Sequence, residues 1–329
     1  MTMRLLKPLA ALFLAGTVAA PLSLAQAQDY PDNTITVIVP FSAGGPTDTV
    51  TRLVAESMSK TLGQQVIVEN VGGAGGTVGA ARAAKAEPDG YTLLLHHIGM
   101  ATSATLYRKL PYDPKTAFAP VGLVTEVPMV LVSRKDFPAN NLQELIAYVK
   151  EHKDEVTYAN AGVGAASHLC GMLFMQAIET PLTTVPYKGT GPAMTDLLGG
   201  QVDLMCDQST NTTGQIKGGE IKAYGVFADQ RLGNLPDIPT VKEGGLEGLS
   251  FGIWHGLYAP AGTPEPIITK LSEALKVALA DPKVVQRFAD LGTAPVPADQ
   301  ATPEALKQKV LSEIDRWKPV IEKAGEYAD

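Results

Sequence analysis

Short β-branched runs alternate with amphipathic helical stretches along most of this chain, and that alternation restricts the fold more than any single motif. The run 34–39 (TITVIV) ends at Pro40 and reads as a buried strand. Beyond it, Val50, Leu53, Val54 and Met58 share one face of a helix predicted from Thr47 to Leu62, and Gly63 supplies the stop. A strand over 65–69, a glycine-rich loop over 71–76, an alanine-rich helix to about Ala86 and a strand over 91–95 follow. This βαβαβ order predicts a parallel sheet covered by helices on both faces.

A second series starts near Ala119. Strands are expected over 130–132, 156–159, 183–186, 202–206 and 223–227, with helices over 142–152, 166–178 and 191–198. The segment 250–258 reads as extended, 259–264 as a break, and the remainder as helical. Two α/β units joined by two crossings, near 120–128 and 250–258, imply two lobes around a ligand cleft, with a hinge that lets the cleft close. The expected division is 28–125 plus 251–329 for the first lobe and 126–250 for the second.

The N-terminal 27 residues read differently. Arg4 and Lys7 precede an apolar run from Leu9 to Leu24, and Ala25-Gln26-Ala27 places small residues where a signal peptidase reads. A secretory signal peptide cleaved after Ala27 is expected, with a periplasmic destination. Pro21 and the cleavage site argue against a membrane anchor, and no later segment is apolar enough to span a bilayer. The formal net charge of −7 excludes nucleic acid and anionic lipid as general partners, so an anion would need a locally arranged site. Cys170 and Cys206 could form one disulfide in an oxidising compartment, although sequence alone does not bring them together.

In open α/β sheets ligands sit at the carboxyl ends of strands, so the loops there are the ones to read. The first, 40–48, contains Phe41, Ser42, Ala43 and Gly44, then Thr47 and Asp48 at a helix start. Its unpaired amides and the helix dipole could hold a carboxylate without Lys or Arg. The second, 160–168, carries Asn160, Gly162, Gly164, Ala165, Ser167 and His168 and would be the opposing jaw. The glycine loop 71–77 departs from a dinucleotide fingerprint at Val78 and reads as a close backbone approach at the cleft rim. His96 and His97 end a strand; without further ligands at metal spacing they read as hydrogen-bonding residues facing a ligand. Lys188 and Asp207 follow strands of the second unit, and Trp254 and His255 lie on the return crossing. No cofactor or metal is expected. An exported α/β hydrolase using Ser167, His168 and Asp207 is the competing reading, although adjacent helix residues do not face one another and no G-x-S-x-G elbow occurs.

Several motifs occur in a telling order: Pro40-Phe41-x-x-Gly44-Gly45-x-x-Asp48, Val68-Glu69-Asn70, Asp89-Gly90-Tyr91-Thr92-Leu93, Pro111-Tyr112-Asp113, Gly162-x-Gly164-x-x-Ser167-His168, Pro186-Tyr187-Lys188-Gly189, a run from Asp196 to Asp203, and Pro236-x-x-Pro239-Thr240. Together they resemble the substrate-binding receptors of tripartite tricarboxylate transporters, also called Bug proteins. The resemblance implies a Venus-flytrap fold, no catalytic step, and a carboxylate pinched between the loops 41–48 and 162–168. It implies integral membrane transporter subunits as partners, a monomeric receptor, and a sensory receptor as a further alternative. Ala165 and Ala166 stand where many relatives carry a hydroxyl residue, and His96-His97 where small residues are common.

Overall fold

The computed structural model describes residues 30–250, 252–325, 327 and 328. The expected signal peptide lies outside these residues. The chain opens with β1 (Ile35–Val39), α1 (Pro46–Leu62), β2 (Val66–Asn70), α2 (Thr77–Ala84), β3 (Thr92–His97) and α3 (Gly99–Leu106). It continues through β4 (Phe118–Arg134), α4 (Leu142–Glu151), β5 (Thr157–Asn160), α5 (Ala166–Ala177), β6 (Thr183–Pro186), α6 (Thr190–Leu198), β7 (Leu204–Gln208), α7 (Ser209–Lys217) and β8 (Ile221–Val226). It closes with β9 (Gly252–Pro260), α8 (Glu265–Ala280), α9 (Pro282–Asp290) and α10 (Pro303–Ala324). Among the described residues, no helix is long and apolar enough to cross a membrane.

The strands follow the order β2-β1-β3-β9-β4-β7-β5-β6, with β8 also paired to β4. The sheets are mixed, not purely parallel. β1 is parallel to β2 and β3, and β5 is parallel to β6 and β7, whereas β9 and β4 run antiparallel to their neighbours. The reason is the connection between lobes. β4 carries the chain out and β9 brings it back, so the two run in opposite senses, paired from Phe118 with Pro260 to Pro128 with Gly252. A short strand over 130–132 was expected after the crossing. Instead the crossing and that strand are one continuous element, whose far half pairs with β7 and β8.

The period of two along β1 and β3 divides the first core. Ile35, Val37, Leu93 and Leu95 face Val50, Val54 and Met58 of α1 and Leu271 and Leu275 of α8. Ile38 and Leu94 belong to the core on the opposite face, with Ala80 and Ala83 of α2, Leu106 of α3 and Trp317 of α10. Each such buried aliphatic side chain contributes about 1.5–3 kcal/mol, which holds the strand ends in fixed positions. Helices α3 and α7 have no counterpart in the sequence reading. Their Gly, Ser, Thr and Asn content gives weak intrinsic helix propensity, and packing holds them. Cys170 on α5 and Cys206 on β7 form a disulfide with a Cα separation of 6.0 Å.

Candidate functional site

Four strands lead, three through short loops and β7 directly, into helix N-termini, and those termini converge. Gly45 and Pro46 begin α1 after β1, Ala166 begins α5 after β5, Thr190 begins α6 after β6, and Gln208 caps α7 after β7. All of them border one buried cavity between the lobes. From one side come Phe41, Gly45, Pro46, Thr47 and His97; from the other come Ala161, Ala166, Ser167, Thr190, Asp207 and Gln208. Its free volume is about 10 Å³, roughly the room of one water molecule. The first-turn amides of a helix have no helical acceptor and carry the positive end of its dipole. Among the described residues, no Lys or Arg lines the cavity.

Hydrogen bonds fix the polarity of the wall. Burial drives His255 down to about 3 and His97 well below its ordinary value, so both imidazoles are neutral and each carries one proton. His255 Nδ1 faces the Ile253 carbonyl at 3.1 Å and must be the protonated nitrogen, because a carbonyl only accepts. His255 Nε2 therefore accepts, and the Thr47 hydroxyl 3.3 Å away donates to it. That leaves the Thr47 oxygen an acceptor toward the cavity. His97 Nδ1 accepts the Gly99 amide at 3.0 Å, so His97 Nε2 carries the proton and is a donor. Phe41 stacks on His97 with ring centroids 4.6 Å apart and holds it in place. The Ser167 hydroxyl accepts the Ala161 amide at 2.8 Å and keeps its own proton to donate.

Asp207 is the unusual member. A loop position after β7 was expected, but the residue is inside the strand, paired with Val130, and 1% exposed. Its carboxylate accepts the Gln208 amide at 2.8 Å, Asn211 Nδ2 at 2.5 Å and the Thr190 hydroxyl. Burial outweighs these bonds and pushes its carboxyl up to about 6. The Asp207 oxygens are engaged by the Gln208 amide, Asn211 and the Thr190 hydroxyl, and the Ser167 hydroxyl oxygen accepts from the Ala161 amide.

Of the residues expected to contact a ligand, Phe41, Thr47, His97, Ser167 and Asp207 line the cavity. The others serve it from outside. Ala43 and Gly44 are exposed at the loop tip. Asp48 accepts Gly44 N, Arg52 Nε and Asn70 Nδ2, each at 3.0 Å, and so braces the loop instead of facing a ligand. Burial raises its pKa, but the bonds from Arg52, Gly44 and Asn70 win and hold the carboxyl below its ordinary value. His96 lies behind His97; its Nδ1 accepts the His97 amide at 2.8 Å. Because His96 and His97 each spend a ring lone pair on a backbone amide, neither presents one to a metal. Asn160 Oδ1 accepts Gly162 N, His168 Nδ1 accepts Gly164 N, and buried Ala165 takes the N-cap position of α5; together they shape the second loop. Lys188 is exposed and acts through its carbonyl, which accepts Ser42 N at 3.0 Å.

That last bond belongs to a seam closing the cleft. Tyr107 donates to the Val163 carbonyl at 2.8 Å, and Thr102 donates to the Gly164 carbonyl at 3.1 Å. The glycine loop expected at the rim is part of it. A Cβ on Gly75 would lie 1.9 Å from the Val163 oxygen, and one on Gly72 would lie 2.6 Å from the Lys188 oxygen. Sequence reasoning missed Thr190 and Gln208, although both sit within two residues of Lys188 or Asp207 in loops it had marked. Gly45, Pro46, Ala161 and Ala166, within the marked loops 40–48 and 160–168, also line the cavity and contribute small surfaces or backbone.

A profile of the "Tripartite tricarboxylate transporter family receptor" matches residues 50–326. The chain belongs to that family. The receptor is 59% identical over 303 residues to a protein from the TAR-I ttuE-ttuC' intergenic region of Agrobacterium vitis, covering 92% of this chain and 88% of that one. It superimposes on the periplasmic binding protein BugD with a TM-score of 0.89 at 52% identity, covering 91% and 100% of the two chains. It superimposes on MatC of Rhodopseudomonas palustris, solved with bound malate, with a TM-score of 0.86 at 45% identity, covering 89% and 100%. The two-lobed binding-protein architecture expected from the alternating elements is the architecture of these neighbours.

Proposed function

We propose that the receptor captures a small carboxylate between its lobes in the periplasm and presents the closed form to a tripartite tricarboxylate-type membrane transporter, with no catalytic step. One observation carries the reading: four helix N-termini converge on one interlobe cavity that, among the described residues, no Lys or Arg lines. Such a site attracts an anion through backbone amides and dipoles. His97 Nε2 and the Ser167 hydroxyl add side-chain donors. The malate bound to MatC supports a carboxylate as the class.

In this reading the lobes divide as 28–125 with 251–329 and 126–250, and paired β4 and β9 form the hinge. The cavity is too small for a di- or tricarboxylate as it stands, so a ligand enters the opened cleft and remains within a modestly expanded closed one. Closure then brings amides from both lobes to one anion, and the transporter reads the joined surface. Residues 1–27 supply the export signal, cleaved after Ala27, and the mature protein works as a monomer. A thermal-shift screen of di-, tri- and aromatic carboxylates against the purified mature chain tests this. At least one acid raises the melting temperature in proportion to the logarithm of its concentration. A panel in which no acid does so refutes the carboxylate assignment.

A further inference from the structure

Asp207 is a buried carboxylate held by neutral donors, and it borders the cavity in which an anion is proposed to sit. It is 1% exposed within β7, and its donors are the Gln208 amide at 2.8 Å, Asn211 Nδ2 at 2.5 Å and the Thr190 hydroxyl. A carboxylate has about four acceptor positions, so one remains on this side chain. Among the described residues, no Lys or Arg lines the cavity to balance its charge. The free volume is about 10 Å³, so an anionic oxygen placed there lies at contact distance from the walls, Asp207 included. Two carboxylates facing each other out of water do not both stay ionised. One takes a proton, and the pair is then joined by a short O–H···O⁻ hydrogen bond.

We propose that the receptor binds its carboxylate together with one proton, which Asp207 takes from solvent onto its remaining acceptor position and donates to the ligand. The proposal rests on the carboxylate reading above and adds a second ligand, the proton, to the same site. The ligand keeps its charge, the helix N-termini, His97 and Ser167 hold it, and Asp207 changes from a repelling group into a donor. Burial already holds the Asp207 carboxyl above its ordinary value, and a second anion acts in the same direction.

The other titratable groups around Asp207 are committed elsewhere. His97 of β3, across the cavity, accepts the Gly99 amide through Nδ1, and a second proton on its ring would break that bond. Tyr158 of β5 donates to the Ser167 carbonyl at 2.8 Å and accepts the Cys206 amide at 3.0 Å. His168, next to Ser167 on α5, accepts the Gly164 amide through Nδ1. From α1, Thr47 is bonded to His255 of β9, and Asp48 turns away to Arg52. Strand β4 meets Asp207 with Val130, α6 with Thr190 and α7 with Asn211, none of which titrates.

Calorimetry counts the proton. Succinate, adipate and benzoate are the probes, because when ionised they carry no hydrogen-bond donor of their own. Binding heats at pH 7.5 in HEPES and in Tris, whose ionisation enthalpies differ, give the number of protons taken up. For the tightest of the three acids on the wild-type mature chain, that number is about one, and affinity falls about five- to tenfold from pH 7 to pH 8 as protons become scarcer. In Asp207→Asn, whose side chain is neutral without a proton, uptake falls below about 0.2 and affinity changes by less than about twofold over that range. Asn211→Ala keeps the test open if Asp207→Asn does not fold. Losing that donor raises the carboxyl of the unliganded protein, so part of it already holds its proton and uptake at pH 7.5 falls to about half. Uptake below about 0.2 in the wild type, or uptake unchanged in the variants, overturns the proposal and leaves the carboxylate reading intact. Binding of malate or citrate without any of the three probes also overturns it, because a ligand hydroxyl then supplies the donor. Failure of all five acids refutes the carboxylate reading itself.

Discussion

Replacing Asp207 by Asn should change how stability depends on pH, and the size follows from its burial. In the folded chain the carboxyl holds its proton up to about pH 6, against an ordinary value of 3.8. Between those values the folded state binds a proton that the unfolded state has released. Stability therefore falls as pH rises through that window, and the penalty is complete above about pH 6. A difference of about two in pKa corresponds to about 3 kcal/mol. Asp207→Asn removes the titration. It also turns an amide donor toward the Gln208 N–H or Asn211 Nδ2, at a cost of about 1–3 kcal/mol that does not vary with pH. The stability of the variant relative to wild type should thus rise by about 3 kcal/mol between pH 3.5 and 7. Asp48, Asp203 and Glu243, all held below their ordinary values, slope the other way but are common to both proteins and cancel in the difference. Guanidinium unfolding at half-unit pH steps reads it, in piperazine and sulfonate buffers so that no buffer carboxylate enters the cleft. A difference that stays constant within about 1 kcal/mol over that range refutes the reasoning, because it would mean that Asp207 ionises in the folded protein as readily as in the unfolded chain.

Two further substitutions separate closure from folding. Gly75→Ala places a Cβ against the Val163 carbonyl and requires φ near +60°, so the lobes cannot meet. Calorimetry with the best acid should show affinity reduced by about a hundredfold or more, while the denaturation midpoint without ligand changes little. Removing the disulfide with Cys170→Ala and Cys206→Ala releases a constraint across 36 residues of sequence. Loop-closure entropy gives about 4 kcal/mol of lost stability in denaturant unfolding, and a loss below about 1 kcal/mol would show that α5 and β7 are held together by packing alone.

How much of this was legible before the structure depends on what sets each feature. Strands such as β1 and helices such as α1 are set by local periodicity and their stop signals, and these could be read directly. The mixed sheet could not, because the direction of β9 follows from where the chain has been. Helices α3 and α7 are weak locally and exist because the fold surrounds them. Within the site, the strand-end rule marked Phe41, Thr47, Ser167 and Asp207, which the structure brings to one cavity. It could not separate Thr47, which faces the cavity, from Asp48, one residue on, which turns back to Arg52 and Asn70. Nor could it show that Lys188 is exposed and meets the seam through its carbonyl. Side-chain direction and backbone contributions are tertiary facts.

The absence of a cation from the cavity wall has a mechanical consequence. A lysine attracts an anion at long range whether the cleft is open or closed. Helix-terminal amides act within about one turn, and water in an open cleft weakens them. In the proposed function each lobe alone would therefore hold a carboxylate weakly. In the proposed closing step, water would leave along the seam through Tyr107, Gly75 and Lys188, the local dielectric would fall, and α1 and His97 from one side would act on the same anion as α5, α6 and α7 from the other. On the carboxylate reading proposed above, most of the affinity would appear only on closure, so ligand binding and the closed state would be one thermodynamic event. Under that proposal an acidic chain whose described cavity residues include no cation would bind an anion and release it fully once the lobes part.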